Sequence, residues 1–248
     1  MWIIGTFPTK KINIDEYSTL KNYFENFGDR LLQDGKKGHR KKTNNKWFET
    51  QDNIAYYPEF EKEKIVWQRV TQKFSFIYIS ECIYVLDSMA FLTGKNLKYI
   101  TGVLNSKLID FYLRTYIHLY SDEGFLLSNQ YVEKIPIPKT LEENELKLTE
   151  FVDKMIYYTN KKQILELFIE DEIKPGTPEM IEALKELQNH PSWSDNSSLE
   201  LKREIARNLI TEYNKIILET DKSIDSLVYK LYNLTDHEIN IIETYFNK

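Results

Sequence analysis

The sequence predicts an α+β fold, with a mixed α/β domain followed by a helical C-terminal arm. Three observations lead to this prediction. Short runs rich in β-branched and aromatic residues occur in the first 140 residues. Beyond that point apolar residues recur at intervals of three or four, which is typical of helices. An Ile-Pro-Ile-Pro segment ending at Pro138 separates the two patterns, so we predict domains over residues 1–140 and 141–248.

The first domain begins with an apolar run, Trp2–Phe7, that predicts a strand ended by Pro8. Helical spacing of apolar residues then predicts a helix over residues 15–33, and a loop rich in Gly, Lys and Asn follows over residues 34–46. Three further runs predict strands: Lys64–Val70, Phe74–Ile79 and Ile83–Asp87.

A second long helix is predicted over Leu97–Thr115, where apolar residues again follow helical spacing. Tyr131–Pro138 is predicted to be extended, because each proline disfavours the helical conformation of the residue before it.

The C-terminal region carries several signals for helix starts. Three stretches fit the capping box, in which a Thr or Ser and a Glu satisfy free backbone donors: Thr140–Glu143, Ser197–Glu200 and Thr235–Glu238. Thr177-Pro178 fits a cap followed by proline at the first helical position. Apolar residues from Leu201 to Leu231 predict one amphipathic helix of about 30 residues.

Composition and charge are those of a folded protein with two unlike halves. A chain of 248 residues buries enough surface to fold without disulfides or metal, and Cys82 is its single cysteine, which we expect to be a small buried residue. The net charge of −5 divides unevenly. Residues 1–140 hold 20 basic against 16 acidic side chains, a net of +4, and residues 141–248 hold 13 against 22, a net of −9. This asymmetry indicates different partners for the two halves.

We expect a cytoplasmic protein with no membrane partner. Apolar runs are much shorter than the ~20 residues that a membrane span needs. The N-terminal residues have neither a basic leader nor a cleavage site of the secretory type.

Motifs of catalysis are missing from the sequence. It contains no dinucleotide-binding glycine motif, no phosphate-binding loop and no nucleophile elbow, and its four histidines are scattered. Acid-x-Lys pairs at Asp34-Gly35-Lys36 and Glu172-Ile173-Lys174 leave a metal-dependent nuclease as one alternative. We otherwise expect neither a catalytic residue nor a metal ion in this chain.

A basic segment is the strongest functional signal. Residues 35–46 carry six cationic side chains and no acid, and they are followed by Trp47 and Gln51. Cations neutralise DNA phosphates, whereas amides and arginine form paired hydrogen bonds to base edges. The predicted phosphate contacts are Lys36, Lys37, Arg40, Lys41, Lys42 and Lys46. The predicted base or near-base contacts are Asn44, Asn45, Gln51, Gln68, Arg69 and Lys73. Trp47, Tyr56, Tyr57 and Trp67 either flank this surface or belong to the core.

These residues resemble a known family. Lys42–Asp52 and the following Glu61–Trp67 resemble the TaqI-like C-terminal specificity domain of adenine-specific type IIG and type IIS restriction–modification enzymes. Three further stretches resemble it more weakly: Leu104–Phe111, Glu133–Pro138 and Ile224–Tyr232. The resemblance extends the predicted DNA contacts to Trp47, Lys64 and Trp67.

The resemblance implies a target recognition domain that binds double-stranded DNA and performs no chemistry. The parent enzyme would transfer a methyl group from S-adenosylmethionine to adenine N6, often beside a Mg-dependent endonuclease. Those cofactors are therefore expected in the parent enzyme and none in this chain, which would be a fragment or a separate specificity subunit. The C-terminal helices would be a spacer or docking arm toward the methyltransferase or endonuclease part.

Two other classes of function remain open. A helical protein-interaction module with an incidental basic loop predicts partner binding that is insensitive to salt. A nuclease that uses Asp34 or Glu172 predicts cleavage that depends on a divalent metal.

Overall fold

The α+β fold class is confirmed by a computed structural model, which describes residues 3–121, 124–173, 175–194 and 196–247. The chain divides into two compact units, Met1–Lys62 and Glu63–Lys248. The predicted division near residue 140 falls inside the second unit, and it stays a prediction.

The first unit consists of short helical turns joined by loops. Its α-helix, α1, spans Ser18–Glu25. Single 3-10 turns form at Pro8–Lys10, Ile14–Glu16, Gly28–Leu31 and Tyr57–Glu61. The helix predicted over residues 15–33 is therefore shorter, because Gly28 takes a left-handed conformation (φ 54°) that ends it.

The strand predicted over Trp2–Phe7 is wrong for the described residues 3–7, and Trp2 lies outside the described residues. Thr6 instead forms hydrogen bonds with the loop around Phe48. The Thr6 hydroxyl donates to the Phe48 carbonyl (2.8 Å), and the Thr50 amide donates to the Thr6 carbonyl (3.0 Å). An isolated pair of bonds of this kind anchors the segment without building a ladder.

Two small antiparallel sheets organise the start of the second unit. Strands β1 (Lys64–Gln68), β3 (Phe76–Ile79) and β4 (Met89–Leu92) form one sheet in the order β3-β1-β4. Strands β2 (Val70–Thr71), β5 (Leu119–Ser121) and β6 (Gly124–Leu126) form the other in the order β2-β6-β5. The predicted strands from Lys64 and from Phe74 are thus found, the first of them split in two.

The strand predicted at Ile83–Asp87 is wrong, because the second partner of β1, besides β3, is β4, the next segment along the chain. Val66 pairs with Phe91, and Trp67 pairs with Ala90. Ile83 and Leu86 are exposed instead. Cys82 is also exposed, which corrects the expectation of a buried cysteine.

The predicted long helix is two helices, α2 (Leu97–Leu104) and α3 (Lys107–Tyr116). Asn105 interrupts it, because its amide exchanges hydrogen bonds with the Phe76 backbone of β3 (3.0 and 2.7 Å). Ser106 then caps α3 by accepting from the Ile109 amide. A serine or asparagine that bonds to backbone groups in this way favours a helix boundary over a helix interior.

The segment predicted to be extended from Tyr131 begins instead with a short helix, α4 (Asn129–Val132), and residues 133–138 form no strand. Four helices follow: α5 (Glu142–Ile169), α6 (Pro178–Gln188), α7 (Leu199–Leu231) and α8 (Asp236–Phe246). The long helix is confirmed, at 33 residues.

The predicted caps meet different outcomes. The capping box of Thr235 and Glu238 is confirmed, and so is the Thr177 cap. Ser198, one residue later than predicted, caps α7. The box at Thr140 is wrong, because α5 begins one residue later, after Leu141, and no side chain caps it.

Two hydrophobic clusters stabilise the second unit. The first joins β1, β3, α2 and α3 to the start of α5 at Leu148 and to the end of α7 at Ile224, Leu227 and Val228. The second joins the end of α5, α6 and the start of α7. Helices α5 and α7 therefore run antiparallel. In the part of the chain that the structure describes, no helix is long and apolar enough to span a membrane.

Candidate nucleic-acid interface

The basic loop, residues 34–46, is an ordered turn. Gly35 and Gly38 adopt positive φ angles (78° and 87°), which let the chain reverse direction. The Gly35 amide donates to the Arg40 carbonyl (3.1 Å), and the Arg40 amide donates to the Leu32 carbonyl (2.9 Å). These bonds bring the two sides of the turn together and hold the lysines between them on its outside.

Arg40 bonds to the segments that flank this turn. Its guanidinium donates to the carbonyls of Leu31 (2.9 and 2.7 Å), Glu49 (2.9 Å) and Trp47. Burial lowers the pKa of Arg40. A guanidinium has five N–H donors, and here four hydrogen bonds go to backbone carbonyls. The structure therefore gives the predicted phosphate ligand a role in holding the loop.

Asn45 and Gln51 also bond within the first unit. The Asn45 side-chain amide donates to the backbone carbonyls of Thr50 and Gln51 (both 2.9 Å). The Gln51 side-chain amide donates to the Lys41 carbonyl at 3.4 Å. Asn44, between Thr43 and Asn45, is exposed. Of the two neighbouring asparagines, Asn44 is the one that the turn presents to solvent.

The cations of the loop differ in how much of their charge is available. Lys36 pairs with Asp34 (2.9 Å), and Asp34 also bonds to His39 Nδ1 (2.6 Å). The Lys36 side chain and amide, with a smaller contribution from His39, hold the pKa of Asp34 well below its usual range. Lys46 donates to the Ile12 carbonyl at 3.3 Å. The exposed side chains of Lys37, Lys41 and Lys42 complete the charged surface.

Trp47 is partly buried and packs edge-to-face on Phe48, with ring centroids 5.7 Å apart. Tyr57 packs on Phe7 (5.7 Å) beneath the Lys10 ammonium (4.2 Å). Tyr56 is exposed. The aromatic residues of this unit therefore differ in exposure, and both roles considered from the sequence, in the core or beside the basic surface, are compatible with it.

Two predicted contacts of the second unit are buried in β1. Lys64 is fully buried, its ammonium donates to the Glu81 carbonyl (2.8 Å), and burial lowers its pKa. Trp67 is 2% exposed, and its indole N–H donates to the Leu127 carbonyl (3.1 Å). Both side chains are therefore buried within the second unit, and their role in DNA binding stays a prediction.

The remaining candidates of this unit lie at or after the end of β1. Gln68 and Lys73 are exposed. Arg69 is partly exposed and pairs with Asp87 (3.2 Å). Among the described residues, no group of three His, Cys, Asp or Glu side chains is arranged to hold a metal ion. Lys174 of the second acid-x-Lys pair lies outside the described residues.

Sequence analysis missed the residues that hold the basic loop from within. Gln33 and Glu49 are buried polar residues, and Thr43 bonds to Gln33. The sequence gives no clear signal for these residues, because a Gln or Glu that flanks a Lys-rich loop is usually exposed.

The comparison with protein families places these residues in a known group. Residues 11–137, which include the basic loop, β1 and the segment up to Lys73, match the family of TaqI-like C-terminal specificity domains. Comparisons with curated proteins and with solved structures give no match. The stretch Ile224–Tyr232 lies outside this match. Because the match covers just over half of the sequence and includes Lys42–Asp52 and Glu61–Trp67, the chain belongs to the family of TaqI-like C-terminal specificity domains.

Proposed function

We propose that this chain recognises a short sequence in double-stranded DNA as the specificity part of a restriction–modification enzyme. The observation that carries the proposal is the basic loop, an ordered turn within the family match that presents exposed lysines and Asn44. Cations on a fixed turn neutralise phosphates and set the register of the protein on the duplex.

The geometry supports a division of labour among the candidate residues. Lys37, Lys41 and Lys42 would contact phosphates, with Lys36 and Lys46 at the edge of the surface. Asn44, Gln68 and Lys73 are exposed and suited to base edges. Arg40 and Asn45 would support the loop from within, and Lys64 and Trp67 would support the β1 sheet.

The proposal includes partners that supply the chemistry. A methyltransferase domain or subunit would transfer a methyl group from S-adenosylmethionine to adenine N6, with a Mg-dependent endonuclease in the same system. This chain would contribute recognition and no catalytic group, and it would act on DNA in the cytoplasm. The acidic helical region α5–α8 lies beyond the family match and would be the arm that docks toward those partners.

Binding to a pool of randomised duplex DNA at low salt, followed by sequencing of the retained duplexes, tests the proposal. We expect an enriched short sequence. Replacing Lys37, Lys41 and Lys42 by Ala should reduce the slope of log affinity against log salt by about 2 to 3, because each phosphate contact contributes about 0.9.

The matched control removes three exposed lysines from the helical region, with Lys147, Lys154 and Lys215 changed to Ala. It changes the net charge equally and should leave the salt slope unchanged. No retention of DNA by the unaltered chain, or an equal loss of slope in both variants, would contradict the proposal.

A protein-interaction module is the second candidate function. Leu146 and Tyr157 of α5 and Leu218 of α7 are each more than half exposed on the helical region. Partner binding through those side chains, unaffected by salt or DNA, would favour it.

A further inference from the structure

Gln33 lies at the base of the basic loop with its amide buried. Its Oε1 accepts from the Thr43 hydroxyl (2.6 Å), and its Nε2 donates to the carbonyls of Lys46 (3.0 Å) and Glu49 (2.7 Å). The Gln33 carbonyl also accepts from the Thr43 amide (3.0 Å). Both side-chain N–H donors and the side-chain carbonyl are therefore used in contacts across the loop.

Thr43 and Glu49 extend this arrangement around Asn44. The Thr43 hydroxyl accepts from the Asn45 backbone N–H (3.1 Å), and the buried Glu49 carboxylate accepts from the Lys46 backbone N–H (2.8 Å). We call Gln33, Thr43 and Glu49 the loop frame. The frame fixes the backbone on both sides of Asn44 and leaves that side chain in solvent.

A segment rich in Gly, Lys and Asn has high conformational freedom when nothing holds it. Ordering it during binding would cost free energy, and a loop that is already ordered avoids that cost. Base contacts are directional and need the side chain in one place, whereas attraction between lysines and phosphates tolerates movement. The frame should therefore affect discrimination between sequences more than general attraction to DNA.

We infer that Gln33 and Thr43 are positioning residues for sequence recognition, which act through the placement of the loop that carries Asn44. The inference rests on the proposed function. Loss of a frame contact should weaken the preference for the target over other DNA and leave the salt dependence of binding intact.

The decisive comparison is between Thr43→Val and Thr43→Ser. Val keeps the shape of Thr and loses the hydroxyl that bonds to the Gln33 side chain and to the Asn45 backbone N–H, whereas Ser keeps the hydroxyl. Affinity is measured for the duplex enriched by the unaltered chain and for a scrambled duplex, over a range of salt concentrations. We expect Thr43→Val to lower the ratio of the two affinities by about fivefold or more, as loss of a base contact would. Thr43→Ser should retain the ratio, and both variants should retain the salt slope.

A double variant with Lys41 and Lys42 changed to Ala is the control for charge. It should show the opposite pattern, in which the salt slope falls by about 2 and the preference ratio is retained.

Trypsin digestion of the free protein tests the frame without DNA. The loop contains six cleavage sites, so its order determines how fast it is cut. Thr43→Val should be cut faster within residues 34–46 and no faster elsewhere, whereas a variant that fails to fold would be cut throughout. In that event Gln33→Asn, which shortens the amide by one methylene, takes its place in both measurements.

The outcomes separate the inference from the function on which it rests. No enriched sequence with the unaltered chain overturns the proposed function. An enriched sequence, with the same preference ratio in Thr43→Val as in the unaltered chain, overturns the inference alone. If Thr43→Val lowered both the salt slope and the preference ratio, the inference would also be overturned, because the frame would then contribute to DNA binding in general.

Discussion

Asp225 of α7 is a carboxylate buried against three charged side chains. Its Oδ1 accepts from the Lys107 amide (2.8 Å), and its Oδ2 lies 3.7 Å from the Lys107 ammonium. Lys107 pairs in turn with Glu243 of α8 (2.8 Å). Burial, together with the nearby carboxylates of Asp221 and Glu243, raises the pKa of Asp225 to about 6, although Lys107 acts in the opposite direction. The charged form is therefore held in the folded protein at a cost.

Asp225→Asn should change how stability depends on pH. The folded-state pKa of Asp225 lies above its ordinary value of 3.8, so the folded state gains a proton as the pH falls through about 6. The free energy of unfolding of the unaltered chain, relative to that of Asp225→Asn, should decrease by about 1 kcal/mol from pH 5 to pH 7.5. Urea unfolding of both proteins at pH 5 and at pH 7.5 measures this decrease.

The comparison with Asp225→Asn cancels the titration of carboxylates that do not interact with residue 225. Asp221 does interact with it, and burial also raises the pKa of Asp221. A difference between the two proteins that stays constant over this pH range would show that Asp225 does not titrate there.

At the scale of an element, α2 packs closely on α5 at a glycine. A Cβ atom added at Gly102 would lie 2.8 Å from Cγ of Leu148, which is fully buried. Gly102 is helical, so the requirement is one of space and not of backbone conformation. The close approach of α2 to α5 therefore depends on a missing side chain.

Gly102→Ala should destabilise the second unit by about 1 to 3 kcal/mol, since the added methyl group forces Leu148 and the α2–α5 contact apart. Urea unfolding measures the change.

Gly94→Ala is the matched control, because a Cβ there meets no atom within 4 Å. It should change the free energy of unfolding by about 0.5 kcal/mol or less. Equal effects of the two substitutions would contradict the packing explanation.

At the scale of the whole molecule, the first hydrophobic cluster draws on both sides of residue 140. Leu148 of α5 and Ile224, Leu227 and Val228 of α7 pack with the core residues of β1, α2 and α3. The helical region therefore provides part of the core on which the sheet residues depend. A helical arm that only extended from a finished domain would not bury these residues.

A chain truncated after residue 140 should lose the cooperative unfolding of residues 63–140. It would expose the apolar faces of α2 and α3 that α5 and α7 cover. Loss of the near-UV circular dichroism signal together with binding of the dye ANS would report this state. A cooperative transition and an intact near-UV signal in the truncated chain would instead support a domain boundary at residue 140.

Local patterns in the sequence determined much of this protein. The α+β class, the strands from Lys64 and Phe74, the long helix α7 and the caps at Thr177 and Thr235 all follow from short-range periodicity and turn chemistry. The family resemblance and the acid-free basic segment are also properties of the chain itself. Such features need no knowledge of distant contacts.

Tertiary structure decided the rest, because residues of one type take roles that depend on what surrounds them. Arg40 and Asn45 bond inward while Lys41 and Asn44 face solvent, although all four lie in the same polar stretch. Lys64 is buried with its ammonium bonded to the Glu81 carbonyl, and the second partner strand of β1 forms at Met89–Leu92 and not at Ile83–Asp87. Asn105 breaks a helix because β3 passes beside it. In each case the role is set by a partner that local periodicity does not indicate, so only the folded chain brings the groups together.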